Sequence, residues 1–268
     1  MLIDTHIHLD SYSDDDIPDI LQRSKDVNVK AVISAGTTVV SSTRCVELAS
    51  KFPEVFSGVG VHPMDLVQSL DEGAYNSLRE LISSSERVLV MSEIGLDYLE
   101  GMPDREWQFS AFRNQIGIAR EFGLPIVFHS RESNEDCFRV LKEEKAYEVG
   151  GVMHYFQGTY EDAQKAIDMG FYVSIARPIF RLQHLRDVLV NIPINHLVVE
   201  TDSAPQPFKK NRDNWTEPRH LRSIVREIAS LKDLEEVEVE QNLLNNMKTL
   251  LFNKWDVILP ALGSEKLS

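Results

Sequence analysis

Residues 3–10 read IDTHIHLD, a short apolar run that ends in two histidines, His6 and His8, separated by a single residue. Successive side chains of a β-strand point to opposite faces, so both imidazoles would project from the same face. A lone histidine in a strand is usually structural, but two at this spacing at a strand end favour metal binding. The segment therefore predicts a buried first strand whose C-terminal end carries chemistry.

The same pattern of apolar runs recurs along the rest of the chain. The runs alternate with amphipathic stretches, and the pattern indicates parallel strands joined by helical crossovers. Eight units in about 250 residues predict an α/β fold, a (β/α)8 TIM-type barrel, with an open doubly wound sheet as the alternative. The predicted strands are 2–5, 29–35, 55–61, 88–93, 124–129, 150–155, 171–175 and 196–201. The predicted helices are 17–26, 42–51, 75–83, 106–122, 134–145, 160–169 and 182–190, with one or two more after the last strand.

The barrel is predicted to be a single domain over residues 1–255, followed by a C-terminal tail at 256–268. The composition, with 43% hydrophobic and 26% charged residues, is that of a globular protein. A net charge of −14 argues against a basic face that coats duplex nucleic acid, while a local cationic or metal-lined cleft is still allowed.

The cysteine content and the N-terminus bear on redox chemistry and location. Cys45 and Cys137 are the two cysteines and form no CxxC motif, which argues against a disulfide framework or a thiolate zinc site. Neither a signal peptide nor an apolar run of about 18 residues is apparent, so we expect a cytoplasmic protein without membrane contact. No obligate protein partner is expected.

Polar side chains stand where four further apolar runs stop. Glu93 ends VLVMSE, His129 ends PIVFH, His154 ends GGVMH and Asp202 ends LVVETD. The C-terminal ends of barrel strands form one face, where active sites of this fold lie. Six buried polar groups at that face would carry a heavy desolvation cost without ions to pair with. We therefore predict that these four residues, with His6 and His8, bind metal.

The chemistry of this ligand set narrows the choice of metal. Imidazole and carboxylate suit Mg²⁺, Mn²⁺ or Zn²⁺, and six ligands exceed the three that a single catalytic zinc takes from protein. Two divalent ions that share Glu93 would account for six ligands, and Mg²⁺ is the first candidate for the metal. His6, His8 and Asp202 would hold one ion, and His129 and His154 the other. A two-metal site of this kind predicts hydrolysis of an ester or amide by a metal-activated water.

Taken together, the motifs resemble those of the TatD family of metal-dependent deoxyribonucleases, within the wider amidohydrolase-like barrels. The resemblance extends over essentially residues 1–255, and the order and spacing of the motifs make it specific. It implies a (β/α)8 barrel, the six metal positions named above, and hydrolysis of DNA phosphodiesters, usually as an exonuclease. The motifs are IDTHIHLD (3–10), GVGVHP (58–63), SEIGLDY (92–98), QFSAFRNQIGIAREFGLPIVFHSR (108–131), ETDSAP (200–205) and the pair Glu217-Pro218.

Several positions depart from the family pattern. Ser92 stands in place of the usual Gly, HYFQG (154–158) in place of HCFSG, and Ala204-Pro205-Gln206 in place of the usual Ser-Pro-Tyr continuation. The loop 209–215 is also atypical. None of these changes removes a predicted ligand, but they touch the loops at the predicted mouth, so they bear on the choice of substrate.

A second group of residues is predicted to act on the substrate. Asp202 would accept the proton of the attacking water. Glu93 is predicted to be a catalytic residue as well. His62 would orient a phosphate or protonate a leaving oxygen, or would only cap its strand. Arg131 would pair with a phosphate, or would form a salt bridge to Glu132 or Asp97.

The remaining candidates are carboxylates near the ligands and cations in the last loop. Glu200 would support a ligand histidine, whereas Asp4 is better interpreted as structural. Lys209 and Lys210 are predicted to bind the substrate, from a basic cluster that also contains Arg212, Arg219 and Arg222. Trp215 would stack a base or anchor its loop.

Three classes of function remain open at this stage. The first is a deoxyribonuclease whose partner is DNA, single-stranded or at 3′ ends, with RNA and small phosphodiesters not distinguished. The second is an amidohydrolase-type enzyme with the same binuclear site, acting on an amide, lactone or small phosphoester. The third is a binding module that kept the fold, against which the complete ligand set argues.

Overall fold

The computed structural model describes residues 1–263 as eight parallel strands alternating with helices. Each strand pairs with the next in sequence, and Ile7 at the end of β1 forms a bridge with Ser203, which lies just beyond β8. The amide N–H of Asp202 donates to the carbonyl of His6 at 3.0 Å across the same seam. The strands are β1 Leu2–Ile7, β2 Val29–Ala35, β3 Val55–Val59, β4 Val88–Asp97, β5 Ile126–Arg131, β6 Gly151–Met153, β7 Phe171–Ile175 and β8 Leu197–Val199.

Helices cover the outside of the sheet, and the predicted barrel of the α/β class is confirmed. Within residues 1–263, three helices follow the last strand, one more than the one or two expected. The helices are α1 Ile17–Asp26, α2 Val39–Lys51, α3 Glu72–Ser84, α4 Arg105–Phe122, α5 Asn134–Glu143, α6 Tyr160–Asp168, α7 Gln183–Asn191, α8 Leu221–Lys232, α9 Glu236–Leu251 and α10 Trp255–Ile258.

The limits of α4 illustrate how local sequence sets a helix. The carboxylate of Asp104 accepts from the backbone N–H groups of Glu106 and Trp107, which would otherwise be unpaired at the helix start. Gly123 adopts φ +64° at the end, a conformation that glycine tolerates best. No helix in residues 1–263 is long and apolar enough to cross a membrane.

The hydrophobic core has two parts. The larger part lies between the sheet and the surrounding helices. The smaller part joins residues near the starts of strands, such as Ile3 and Leu89, to Met247 of α9 and Ile258 of α10. The last helices therefore cover the face where the strands begin, opposite to the face where they end, and the predicted division at residue 255 falls at the start of α10.

Ile258 offers a test of whether the segment beyond residue 255 is part of the folded domain. Its side chain is fully buried, so Ile258→Ala should lower the free energy of unfolding by about 2–5 kcal/mol, measured by urea denaturation. Val237→Ala, at a position 73% exposed in α9, is the control and should leave stability nearly unchanged. An unaltered urea midpoint in Ile258→Ala would show that the segment is a dispensable tail.

Candidate metal and catalytic centre

The strand ends enclose a cavity of about 670 Å³ at one face of the barrel. His8, His62, Glu93, His129, Arg131, His154 and Asp202 line it, together with residues of the loops after β2, β3, β5 and β6. His6 lies just beneath, with 1% of its surface exposed. All the predicted metal-binding residues are thus brought to one place by the convergence of five strands.

Glu93 lies at the centre of this cluster. Its Oε2 is 3.6 Å from His6 Nε2 and 3.7 Å from His8 Nε2, and its Oε1 is 3.6 Å from His154 Nε2. A further contact joins Oε1 to His62 Nε2 at 3.8 Å. One buried carboxylate therefore faces four imidazoles, two on each oxygen.

The backbone at Glu93 corrects one expectation. Glu93 does not end its strand, because β4 continues to Asp97 after a register shift between Met91 and Ile94. Glu93 itself has φ +54°, an unfavourable region for a residue with a Cβ. The irregularity turns its carboxylate into the cavity, while the strand beyond continues to pair with β5.

Gly95 permits that continued pairing. It adopts φ +155°, and a Cβ there would lie 1.9 Å from the carbonyl oxygen of His129. Any other residue would push β4 away from β5. Gly95 of SEIGLDY therefore allows β4 and β5, which carry the site residues Glu93 and His129, to lie close together.

Electrostatics keeps the two carboxylates charged. Burial opposes the charge of Glu93, but His8 and His6 outweigh burial and hold its pKa well below the usual range. Burial is likewise overcome at Asp202, where His8 and His154 lower the pKa to about 2. The centre thus offers two ionised carboxylates to a cation.

The histidines divide according to their neighbours. At His8 burial is outweighed by Glu93 and Asp202, which raise its pKa to about 10. At His154 burial is outweighed mainly by Glu200, and the pKa rises to about 9. The pKa of His6 is lowered by burial and by the charge of His154. The pKa of His62 is lowered by burial to about 3. The neutral form of the imidazole is therefore favoured at His6, and it is the form present at neutral pH at His62.

Several atoms of the cluster lack the hydrogen bonds that buried polar groups normally make. Within residues 1–263, both ring nitrogens of His6 and Oε2 of Glu93 have no hydrogen-bond partner. Ligand atoms within 4.8 Å of one another form three sets: His6, His8 and Glu93; His6, His154 and Asp202; and His62, Glu93 and His129. Buried, unpaired nitrogen and oxygen donors at these separations fit divalent cations.

These sets differ from the division predicted from the sequence. His154 groups with His6 and Asp202, and its ring centroid is 3.9 Å from that of His6 but 6.5 Å from that of His129. His129 instead groups with His62 and Glu93. The position of a histidine at a strand end places it at the mouth, but the orientation of its ring depends on neighbouring side chains.

Carboxylates behind the histidines orient two of the rings. His129 Nε2 donates to Asp97 Oδ2 at 2.9 Å, which leaves its Nδ1 free to bind a metal. His154 Nδ1 lies 3.0 Å from Glu200 Oε1, so its Nε2 faces the cavity. Ser174 Oγ and the Tyr155 N–H in turn donate to Glu200.

Glu200 occupies the supporting position expected from the sequence, whereas the contact of Asp97 with His129 was missed. Asp97 carries the same signal as the predicted ligands, a polar residue at the end of an apolar strand. Placing the end of β4 at Glu93 concealed it.

The predicted substrate residues are partly engaged within the protein. Arg131 lines the cavity and pairs through Nε and Nη2 with Asp97, at 2.8 and 2.6 Å. His62 accepts from the Met64 N–H through Nδ1 at 3.0 Å, so it caps the chain there while its Nε2 faces Glu93. Asp4 accepts from Thr201 and is a structural carboxylate.

The basic cluster of the last loop is mostly neutralised. Glu217 pairs with Arg23, Arg212 and Arg219. Arg222 pairs with Glu240. Lys209 Nζ donates to the carbonyl of Asn214 at 2.9 Å, and neither Lys209 nor Lys210 lines the cavity. Trp215 is half-buried, with Arg212 over its ring at 4.3 Å.

The fold and the centre together are those of a barrel hydrolase whose mouth carries a cluster of side chains able to ligate metal. The sequence profile described as "TatD related DNase" matches residues 3–252, and the chain belongs to this family. The family assignment made from the sequence motifs, and the enzyme class that it implied, are confirmed.

Individual relatives agree with this assignment. The chain is 34% identical to the uncharacterized metal-dependent hydrolase YabD of Bacillus subtilis, covering 93% of this chain and 98% of that protein. It is 29% identical to the 3'-5' ssDNA/RNA exonuclease TatD of Edwardsiella piscicida, covering 88% and 93%. The crystal structure of the TatD homologue YjjV from Escherichia coli superposes with a TM-score of 0.85 at 26% identity, covering 93% and 97%.

Replacing Asp97 tests whether it supports the metal site. Asp97→Asn keeps the shape of the side chain but removes the charge that holds His129 Nε2. Loss of such a supporting carboxylate typically weakens metal affinity about 10–100-fold, measurable by competition with a fluorescent chelator. Asp65→Asn, which also removes a carboxylate lining the cavity, should leave the affinity unchanged. Equal affinities in the two variants would contradict the role of Asp97.

Proposed function

We propose that this protein hydrolyses phosphodiester bonds of single-stranded DNA, attacking at 3′ ends, with two divalent ions held at the barrel mouth. The observation that carries the proposal is the convergence of buried, unpaired ligand atoms on the carboxylate of Glu93. The exonuclease name of the Edwardsiella relative supports the substrate class and adds RNA as a second polymer to be tested. A cytoplasmic location stays a prediction.

The ions would be held by the six residues predicted from the sequence. Glu93 belongs to two of the three ligand sets, so its carboxylate would serve both ions. The remaining ligands would be His6, His8, His129, His154 and Asp202. Mg²⁺ is proposed first and Mn²⁺ or Zn²⁺ as alternatives, because carboxylate oxygen suits Mg²⁺ and Mn²⁺, while imidazole nitrogen suits Zn²⁺.

The residues around this centre have separable tasks. Bound divalent ions supply Lewis acidity and lower the pKa of water. Asp202, ionised and 3.2 Å from His8 Nε2, is placed to accept a proton from the attacking water. His62 is neutral and accepts at Nδ1, so its Nε2 carries the hydrogen and donates to a phosphate oxygen.

Two further groups would contact the phosphate backbone. Arg131 is fixed by Asp97, and its side chain is 40% exposed in the cavity. A guanidinium held in one orientation is well suited to binding a phosphate oxygen. Lys209 and Lys210 lie outside the cavity lining, so their proposed contribution concerns the longer parts of a strand.

A substrate panel with metal-stripped protein tests the proposal. Single-stranded DNA, duplex DNA, RNA, a chromogenic phosphodiester and a dipeptide are compared after addition of Mg²⁺, Mn²⁺ or Zn²⁺. Hydrolysis of single-stranded DNA from the 3′ end is expected to be fastest. Cleavage of the dipeptide alone would favour the amidohydrolase-type alternative, and hydrolysis of no substrate with any metal would favour the binding module.

Glu93→Ala tests the bridging assignment. Loss of a carboxylate shared by two ions should lower the metal content towards zero, whereas His129→Ala should retain one ion. Elemental analysis after gel filtration measures the content, and circular dichroism checks that both variants fold. Retention of about two ions per chain in Glu93→Ala would show that Glu93 bridges nothing.

Asp202→Asn distinguishes two roles of Asp202, as a metal ligand and as a general base. The amide keeps the shape and one oxygen for the ion, but it does not accept a proton. Loss of a general base costs about 10²–10⁴ in rate, so turnover should stay low even at saturating Mg²⁺ or Mn²⁺. Near-normal turnover at high metal concentration would make Asp202 a ligand only.

A further inference from the structure

Arg177 and Arg181 differ from every other arginine in residues 1–263. Each of the others contacts a carboxylate, a backbone carbonyl or an aromatic ring. Within the described part of the chain, Arg177 and Arg181 have no such partner. In a protein with net charge −14, two guanidinium groups that have none of these partners within the described residues are available to an anionic ligand.

These two arginines lie at the mouth of the barrel. They belong to the segment that directly follows β7, which begins with the short 3-10 helix Arg177–Phe180. The elements on either side of this segment contact the loop after β6: the Phe156 N–H donates to the carbonyl of Ser174 in β7 at 3.2 Å, and Nε2 of His184 in α7 lies 3.2 Å from the Gln157 carbonyl. Tyr155, Phe156 and Gln157 line the cavity, whereas Arg177 and Arg181 do not, so we place the arginines beside the cavity and outside its lining.

Tyr155 connects the rim to the catalytic centre. It follows His154, adopts φ +46° and lines the cavity. Its ring centroid lies 5.8 Å from that of His154, a predicted metal ligand. An aromatic ring is therefore presented to the cavity directly beside the predicted ligands.

Phe180 adds an exposed aromatic side chain to the same segment. It is 43% exposed and lies between Arg177 and Arg181 in sequence. Proteins that bind single-stranded nucleic acids generally combine cationic side chains, which contact the phosphates, with aromatic side chains, which stack on the bases. The other arginines near the mouth are held by carboxylates: Arg131 by Asp97, and Arg212 and Arg219 by Glu217.

We propose that Arg177 and Arg181 bind phosphates of a single-stranded nucleic acid outside the cavity, and that Tyr155 and Phe180 stack on its bases. This inference rests on the proposed function, because it describes how the same centre would hold the part of the strand that is not being cleaved. A small phosphodiester would enter the cavity without touching Arg177, Phe180 or Arg181, none of which lines it. The segment after β7 therefore determines the preference for a polymer.

Direct binding measurements test the inference separately from catalysis. A fluorescein-labelled single-stranded DNA of about 12 nucleotides, within the range of known site sizes, is titrated with metal-loaded Asp202→Asn protein. Arg177→Gln/Arg181→Gln in this background should raise Kd at least about tenfold. Between about 50 and 200 mM salt, the slope of log Kd against log salt should fall by about 1.4, since each phosphate contact on a single strand contributes about 0.7.

Matched variants control for net charge and for stacking. Lys145→Gln/Lys248→Gln removes the same charge from two exposed lysines distant from the mouth and should change neither Kd nor slope. Phe180→Ala should raise Kd about fivefold or more without changing the slope, and Phe180→Tyr should restore binding. With Asp202 intact, the arginine variant should lose kcat/KM on the oligonucleotide through KM, while hydrolysis of a chromogenic phosphodiester is unchanged.

The outcomes distinguish this inference from the proposed function. Normal oligonucleotide binding and an unchanged salt slope in the arginine variant would overturn the inference and leave a nuclease. Loss of chromogenic phosphodiester hydrolysis as well would show that the segment only maintains the catalytic centre, which also overturns it. A wild-type enzyme that hydrolyses the chromogenic ester but neither binds nor cleaves oligonucleotides would refute the nucleic-acid substrate itself.

Discussion

The buried carboxylate of Glu93 imposes the main physical constraint on this structure. A negative charge with 6% of its residue surface exposed is costly unless cations or hydrogen-bond donors surround it. Four imidazoles from β1 and the loops after β1, β3 and β6 face its two oxygens, and the irregular backbone of β4 is what turns the side chain toward them. The rigid barrel maintains this unfavourable conformation, because β4 is paired on both sides and buried along its whole length.

Periodicity in the sequence was sufficient to predict the barrel. The bounds of β2, β7 and α1 coincide with those predicted, since each has a clear apolar pattern and a polar or glycine boundary. The extent of β4 was not predictable in the same way. Residues after Glu93 are apolar enough to continue a strand, but a left-handed Glu has no signature in a single sequence, and a shift of register changes which side chains face inward.

Positions of site residues were predicted more reliably than their contacts. A polar residue at a strand end has a known location in this fold, and all six predicted ligands lie at the mouth. The rotation of each ring depends on partners distant in sequence, such as Asp97 for His129 and Glu200 for His154. Whether a basic side chain is free to bind a ligand also depends on tertiary structure. The cluster around Arg212 looks basic in the sequence, yet Glu217 neutralises most of it.

The acidic character of the chain has a consequence for how a nucleic acid would approach. An exterior with net charge −14 repels phosphates over most of its area, and salt screens this repulsion only beyond about 10 Å. Favourable contact is confined to the mouth, where ions, Arg131 and the segment after β7 would lie together. A strand held there by a few phosphates would have its remaining length repelled from the surface. Such a distribution of charge favours engagement of an end over binding along an interior stretch, which is the physical requirement for removing nucleotides one at a time.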